Sequence, residues 1–408
     1  MGTDETSPSL ADIRRAAAAG AGVIRETPVL SSRTLGERSG GTVALKAENL
    51  QRTGSFKLRG ALAKIAALGD GCADGVVTGS AGNHAQAVAY AARARGVACE
   101  VFMPKTAPIA KIEAAAQLGA RVFFAGVSVE ECLAAARERA ADSELAFVHP
   151  FDDPDVIAGQ GTLGLELLAQ IDDLSLVIVP VGGGGLASGV AIALKSERPD
   201  VRVVGVQVET YAAFPASLAE GRAVDVQAAL TIADGIAVKR PGELTLALLS
   251  RWVDDVVVVS EEEVAEAMVF LLERAKLVVE GAGAVGVAAL LGGRVQGAEV
   301  GTTAVILSGG NVDAGLLAQV ARRHETQAGR RVVLLTRIPD RPGALARLLS
   351  LMGEAGANLL DVQHVREGFD LHVRETAVQT VLETRGNAHA DEVLRIIRES
   401  GYEPRVVR

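Results

Sequence analysis

Leu176-Val177-Ile178-Val179-Pro180-Val181-Gly182-Gly183-Gly184-Gly185-Leu186-Ala187 decides the architecture. The run to Val181 is short and apolar on both faces, which is how a buried parallel strand reads. Four glycines then permit a tight turn in which the main chain can wrap an anion. An alanine-rich helical stretch follows. The uncharged segment from Leu174 to Leu194 is long enough to cross a bilayer. Pro180 and the glycines divide it, so strand, loop and helix is the better parse, and no membrane span is expected.

The same strand–turn–helix texture continues on both sides. Val76-Val77-Thr78 leads through a glycine turn into a helix over Ala85 to Arg95. Strands follow at Glu100 to Met103, Arg121 to Phe124, Val201 to Val208, Asp254 to Val259 and Thr303 to Leu307. Such alternation predicts an α/β fold around parallel strands. At 408 residues and 49% apolar side chains the chain can fill a sizeable core. Its net charge of −9, with no basic run, argues against a duplex nucleic-acid partner. Cys72, Cys99 and Cys132 have no zinc-type spacing and read as reduced thiols. Asp4 and Glu5 stand where a secretory signal would be basic, so a cytoplasmic protein is expected.

Beyond Arg322 the texture changes. The stretch to Arg331 is polar and reads as a linker, after which a βαββαβ order fits the sequence. Its strands fall near Val332 to Leu335, Leu359 to Val365, Val378 to Glu383 and Pro404 to Val407, with helices at Leu345 to Ala355 and Ala390 to Glu399. The expected division is therefore 1–322, a linker at 323–331, and a ferredoxin-like unit at 332–408.

Four segments carry chemistry. In Ser55-Phe56-Lys57-Leu58-Arg59-Gly60, Lys57 opens a helix among apolar neighbours. Both surroundings disfavour the ammonium form and so favour a nucleophilic amine, although most lysines are solvated surface charges. In Ser80-Ala81-Gly82-Asn83-His84, a turn between strand and helix offers backbone N–H groups and a hydroxyl to a carboxylate. The tetraglycine suits a phosphate but lacks the Gly-Lys-Ser/Thr of a nucleotide loop. Ser308-Gly309-Gly310-Asn311 follows the last strand and alone is only a turn. Thr231 to Val238 and Val279 to Ala284, glycine-broken, could line a cleft.

In this order the motifs resemble the fold-type II pyridoxal-phosphate enzymes, and within them the serine/threonine dehydratases, over about residues 8 to 320. The resemblance implies two open α/β subdomains with a cleft between them, the smaller at about 51–150 inserted in the larger. It implies that Lys57 holds pyridoxal 5'-phosphate covalently and acts as general base, with Ser80 as the second catalytic residue. Gly182, Gly183, Gly184, Gly185 and Leu186 would bind the phosphate, Asn83 the 3′-hydroxyl and Ser308 the pyridine nitrogen, with Phe56 and Glu280 also against the cofactor. Ser80, Ala81, Gly82, Asn83, His84 and Gly235 would hold an amino-acid substrate. The implied reaction is β-elimination from threonine, and also serine, to a 2-oxo acid and ammonium. Racemases of the family carry serine where this chain has Ala81, which cannot move a proton, and their acidic metal ligand is replaced by Pro215. Neither racemisation nor a divalent metal is therefore expected.

The C-terminal unit resembles an ACT domain through Asp340-Arg341-Pro342-Gly343-Ala344-Leu345 and Gly356-Ala357-Asn358-Leu359. That implies an amino-acid effector near Arg341, Gly343, Ala344, Leu345 and Asn358, and pairing between chains as a homodimer or homotetramer. Two other readings fit the motifs: a serine dehydratase or β-replacement enzyme, and an amino-acid sensor whose catalytic domain is silent.

Overall fold

The computed structural model describes residues 7–227, 229–366 and 371–407. The chain divides into Met1–Val312 and Asp313–Arg408.

The first unit contains two sheets. Its strands are β1 (Val29–Ser31), β2 (Thr42–Lys46), β3 (Val76–Gly79), β4 (Cys99–Met103), β5 (Arg121–Phe124), β6 (Ala146–Phe147), β7 (Leu174–Pro180), β8 (Arg202–Val208), β9 (Asp255–Val259) and β10 (Thr302–Ile306). The larger sheet runs β1-β2-β10-β7-β8-β9 and is parallel except where β1 meets β2. The smaller runs β5-β4-β3-β6, wholly parallel, and lies in sequence between β2 and β7. Two open α/β layers, as the fold class implies, are thus built from one continuous chain. Valine and isoleucine fill β7, whose residues from Leu176 on are buried, as a central strand covered on both faces requires.

The helix Pro154–Gln170 starts where Asp153 accepts hydrogen bonds from the Asp155 and Val156 N–H groups, with proline in its first turn. It crosses the helix Lys57–Leu68 closely. A Cβ on Gly159 would stand 2.5 Å from the Arg59 carbonyl oxygen, so only glycine permits the approach. In open parallel sheets, ligands collect at the carboxyl ends of strands. Ser80 to Asn83 follow β3, the tetraglycine follows β7, and Ser308 to Asn311 follow β10.

The second unit begins with the helix Ala314–Gln327, which Asp313 caps through the Gly315 N–H. Here the structure departs from the expected 323–331 linker. Residues 323–327 are the last turns of that helix, a short turn at 328–330 leads into the next strand, and the division falls after Val312. Then come β11 (Arg331–Pro339), a helix Ala344–Glu354, β12 (Asn358–Val365), β13 (Glu375–Glu383), a helix Asn387–Glu399 and β14 (Pro404–Val406). The antiparallel order β12-β13-β11-β14 is the ferredoxin-like arrangement expected. Leu334, Leu348, Met352, Val378, Leu382 and Ile397 are central to its core. No helix among the described residues is long and apolar enough to cross a membrane. The three cysteines are free and buried.

Candidate active site

Lys57 is the first residue of its helix. Its Nζ donates to the Pro150 carbonyl at 2.8 Å and lies 5.3 Å from the Phe56 ring centre. Burial pushes the amine down to about 8, against the opposing pull of the Glu280 carboxylate. His84 and His149 also feel this cation, and burial already presses both imidazoles down, to about 3 and about 4. His149 Nδ1 accepts from the Asp152 N–H at 2.7 Å, so it is a neutral ring that orders the segment carrying Pro150. A lysine in this setting can supply an uncharged amine near neutral pH, as covalent capture of a carbonyl requires.

The tetraglycine turn is shaped by one backbone angle and one close contact. Gly184 adopts φ +92°, and a Cβ on Gly183 would stand 2.3 Å from the Phe151 ring. No side chain caps the helix Gly185–Glu197 that follows, which leaves its first N–H groups to an anion. Leu186 is buried in the larger layer's core.

Asn83 joins the two layers. Its Nδ2 donates to Glu280 Oε1 at 2.7 Å, and its Oδ1 accepts from Asn311 Nδ2 at 2.8 Å. These contacts fix the amide's orientation and leave one Nδ2 hydrogen for an oxygen in the cleft. Glu280 is pushed up to about 7, by burial and then by the nearby Asp234 carboxylate. Gly235 lies against it, since a Cβ there would stand 3.3 Å from Glu280 Oε1.

Ser308 is buried, and its hydroxyl reaches only the Ala282 carbonyl at a long 3.5 Å. Its own carbonyl accepts from the Phe56 N–H at 3.0 Å, and Ser55 bridges to Gly309, so the lysine segment and the Ser308 segment are tied together. A weakly bonded buried hydroxyl, an anion-accepting glycine turn, an oriented amide and a low-pKa lysine fit pyridoxal phosphate. Ser80 Oγ accepts from the Gly82 N–H at 3.1 Å, and Ser80, Ala81 and Gly82 are half-buried. The His84 ring turns inward to the Val148 carbonyl at 3.2 Å and is buried, so its side chain does not face the cleft. Among the described residues no cluster has the makings of a metal site.

Within one chain, the group expected in the second unit is spread over the two ends of β11. Gly343, at φ +82°, precedes the helix holding Ala344 and Leu345, and Arg341 stands just before it, beyond the β11 end where Pro339 faces Glu375. Asn358 starts β12 opposite Glu383, which faces Arg331 at the other end of β11, and its Nδ2 is taken by Glu383 at 2.9 Å. Antiparallel register puts the length of a nine-residue strand between them.

Sequence reasoning missed Pro150, Phe151 and a buried ionic cluster at Lys46, Glu48, Arg59 and Glu166. Arg59 lies in the lysine motif, but nothing local marks it as buried.

Two open parallel layers meeting at a buried lysine and a glycine turn define an α/β enzyme built to hold a phosphate-bearing carbonyl cofactor. The model of the family described as pyridoxal-phosphate dependent enzyme matches residues 21–309, and the chain belongs to that family, with pyridoxal phosphate as its cofactor. An L-threonine ammonia-lyase of Thermotoga maritima is 46% identical over 401 residues, 98% of this chain and 99% of its own. The L-threonine dehydratase catabolic TdcB of Escherichia coli is 44% identical over 302 residues, 74% of this chain and 92% of its own. The T.th. threonine deaminase superposes with a TM-score of 0.70 at 44% identity, covering 75% of this chain and 99% of that one. Maize serine racemase gives 0.74 at 35%, covering 79% and 99%.

Proposed function

We propose that this chain is a threonine ammonia-lyase, converting L-threonine to 2-oxobutanoate and ammonium, with activity on L-serine as well. The observation that carries the reading is the Lys57 amine, depressed to about 8 and bonded to Pro150, next to the Phe151 ring that packs on the tetraglycine. Gly182 to Leu186 would hold the cofactor phosphate, Asn83 its ring hydroxyl and Ser308 its ring nitrogen, while Phe56 and Glu280 would line it. When bound, the cofactor supplies the electron sink that makes the substrate Cα–H acidic. The Ser80 hydroxyl and the N–H groups from Ala81 to His84 hold the substrate carboxylate. Lys57, uncharged, takes the Cα proton. Ser308 would place a neutral hydroxyl, not a carboxylate, at the ring nitrogen, a setting that would favour loss of the β-hydroxyl over side reactions.

Racemisation needs an acid on the opposite face of Cα, and Ala81 offers none, although racemases share the fold. The match to the Thermotoga relative extends through the second unit. We read that unit as an ACT domain that binds a branched-chain amino acid at the Arg341–Leu345 turn in a homodimeric or homotetrameric cytoplasmic enzyme. Asn358, at the far end of β11 within one chain, would join that site only across a pair of chains.

Purified protein supplied with cofactor should release 2-oxobutanoate and ammonium in equal amounts from threonine. Lys57→Ala should lower that rate at least about 10³-fold while the far-ultraviolet spectrum stays unchanged. Normal turnover in the variant would refute the assignment.

A further inference from the structure

Arg59, two residues after Lys57, is 2% exposed and carries its charge into the interior. Its guanidinium is shared between two carboxylates. Nε and Nη2 each reach Glu48 at 2.8 Å, while Nη1 and Nη2 reach Glu166 at 2.6 and 2.9 Å, and Thr162 Oγ1 lies at 3.1 Å. Lys46 Nζ donates to Glu166 at 2.6 Å and to the Thr27 carbonyl and Gln170 Oε1 at 2.8 Å each. Two cations thus face two anions. Burial would raise the Glu48 carboxyl, and Arg59 overcomes it, holding Glu48 below the usual range.

The cluster touches three segments that build the site. Arg59 is on the first turn of the Lys57 helix. Glu48 precedes Asn49, whose N–H donates at 3.0 Å to the Leu307 carbonyl, next to Ser308. Thr162 and Glu166 lie on the helix 154–170, and Pro150, whose carbonyl receives the Lys57 amine, lies just ahead of it.

A buried ion pair contributes little stability beyond what apolar residues of the same volume would give. The two helices also have another ionic tie, Lys64 to Asp153 at 2.8 Å. What a planar fork gripping two carboxylates adds is angular definition. We propose that Arg59, clamped by Glu48 and Glu166, is a positioning residue that fixes the roll of the Lys57 helix against its neighbour and so sets where the Lys57 amine stands.

This rests on the reading of Lys57 as the cofactor lysine, and the test separates the two. In the cofactor-free full chain, labelling of Lys57 by an amine reagent is followed against pH by peptide mass mapping. kcat and KM for threonine are measured on the loaded enzyme. Arg59→Lys keeps a charge but gives up the fork. Its labelling midpoint should rise by about one pH unit as the amine gains water. Its kcat should fall about tenfold or more while KM stays within about threefold. Glu166→Gln should move both readouts the same way, and it decides the matter if Arg59→Lys does not fold. Lys64→Met, which breaks the other tie, should lower Tm and leave labelling and kcat alone. If Arg59→Lys and Glu166→Gln behave like Lys64→Met, the positioning role is wrong. If Lys57→Ala still turns over threonine, the underlying reading fails instead.

Discussion

A lysine with its amine at about 8 in the fold and near 10.5 in the unfolded chain binds fewer protons folded than unfolded across that interval. Stability therefore rises as pH climbs from about 8 to 10.5, and the full penalty of burying the ammonium is felt below 8. Lys57→Met removes the penalty. In cofactor-free protein at pH 7 the variant should melt higher than the parent by on the order of 2 °C, and the gap should close near pH 10.5. A constant gap across that range in calorimetric melts would show that the amine is not desolvated. The buried amine is thus held at a cost to the scaffold, as functional groups often are.

At the scale of elements, the tetraglycine turn is the most legible feature and the ionic cluster the least. The turn shows in sequence because its requirement is local. At Gly184 the backbone has φ +92°, and a Cβ would stand 2.7 Å from Phe214 Cζ and 2.9 Å from Thr245 Cβ. Gly184→Ala should cost about 1–3 kcal/mol in denaturant unfolding and weaken cofactor binding tenfold or more in equilibrium dialysis. An unchanged affinity would mean that the turn does not hold the phosphate. The strands and helices of the C-terminal unit are equally plain in sequence, because alternation and amphipathic spacing are short-range signals. Arg59 is opaque for the opposite reason. Its partners lie 11 and 107 residues away, and no window of sequence shows that a charged side chain is buried. The stretch 323–331 misled because the polar end of a helix, here 323–327, has the same composition as a linker.

The whole molecule consists of two units whose chain boundary, Val312/Asp313, follows directly on the Ser308–Asn311 turn. Every residue assigned to the lysine site precedes that boundary. A chain ending at Val312 should therefore keep threonine turnover within about threefold and lose any dose-dependent response to isoleucine or valine in initial-rate assays. An intact response in the shortened chain would move the effector to the first unit.

The strand order of the larger sheet has a bearing on how the enzyme is made. β10 is the last strand of that sheet to be synthesised, yet it lies between β2 and β7 at the sheet's centre. Until about three hundred residues have left the ribosome, β2 and β7 each offer a bare edge where their neighbour belongs. A message cut short before that point would yield not a weakened catalyst but a sticky fragment for the cell's quality control to clear.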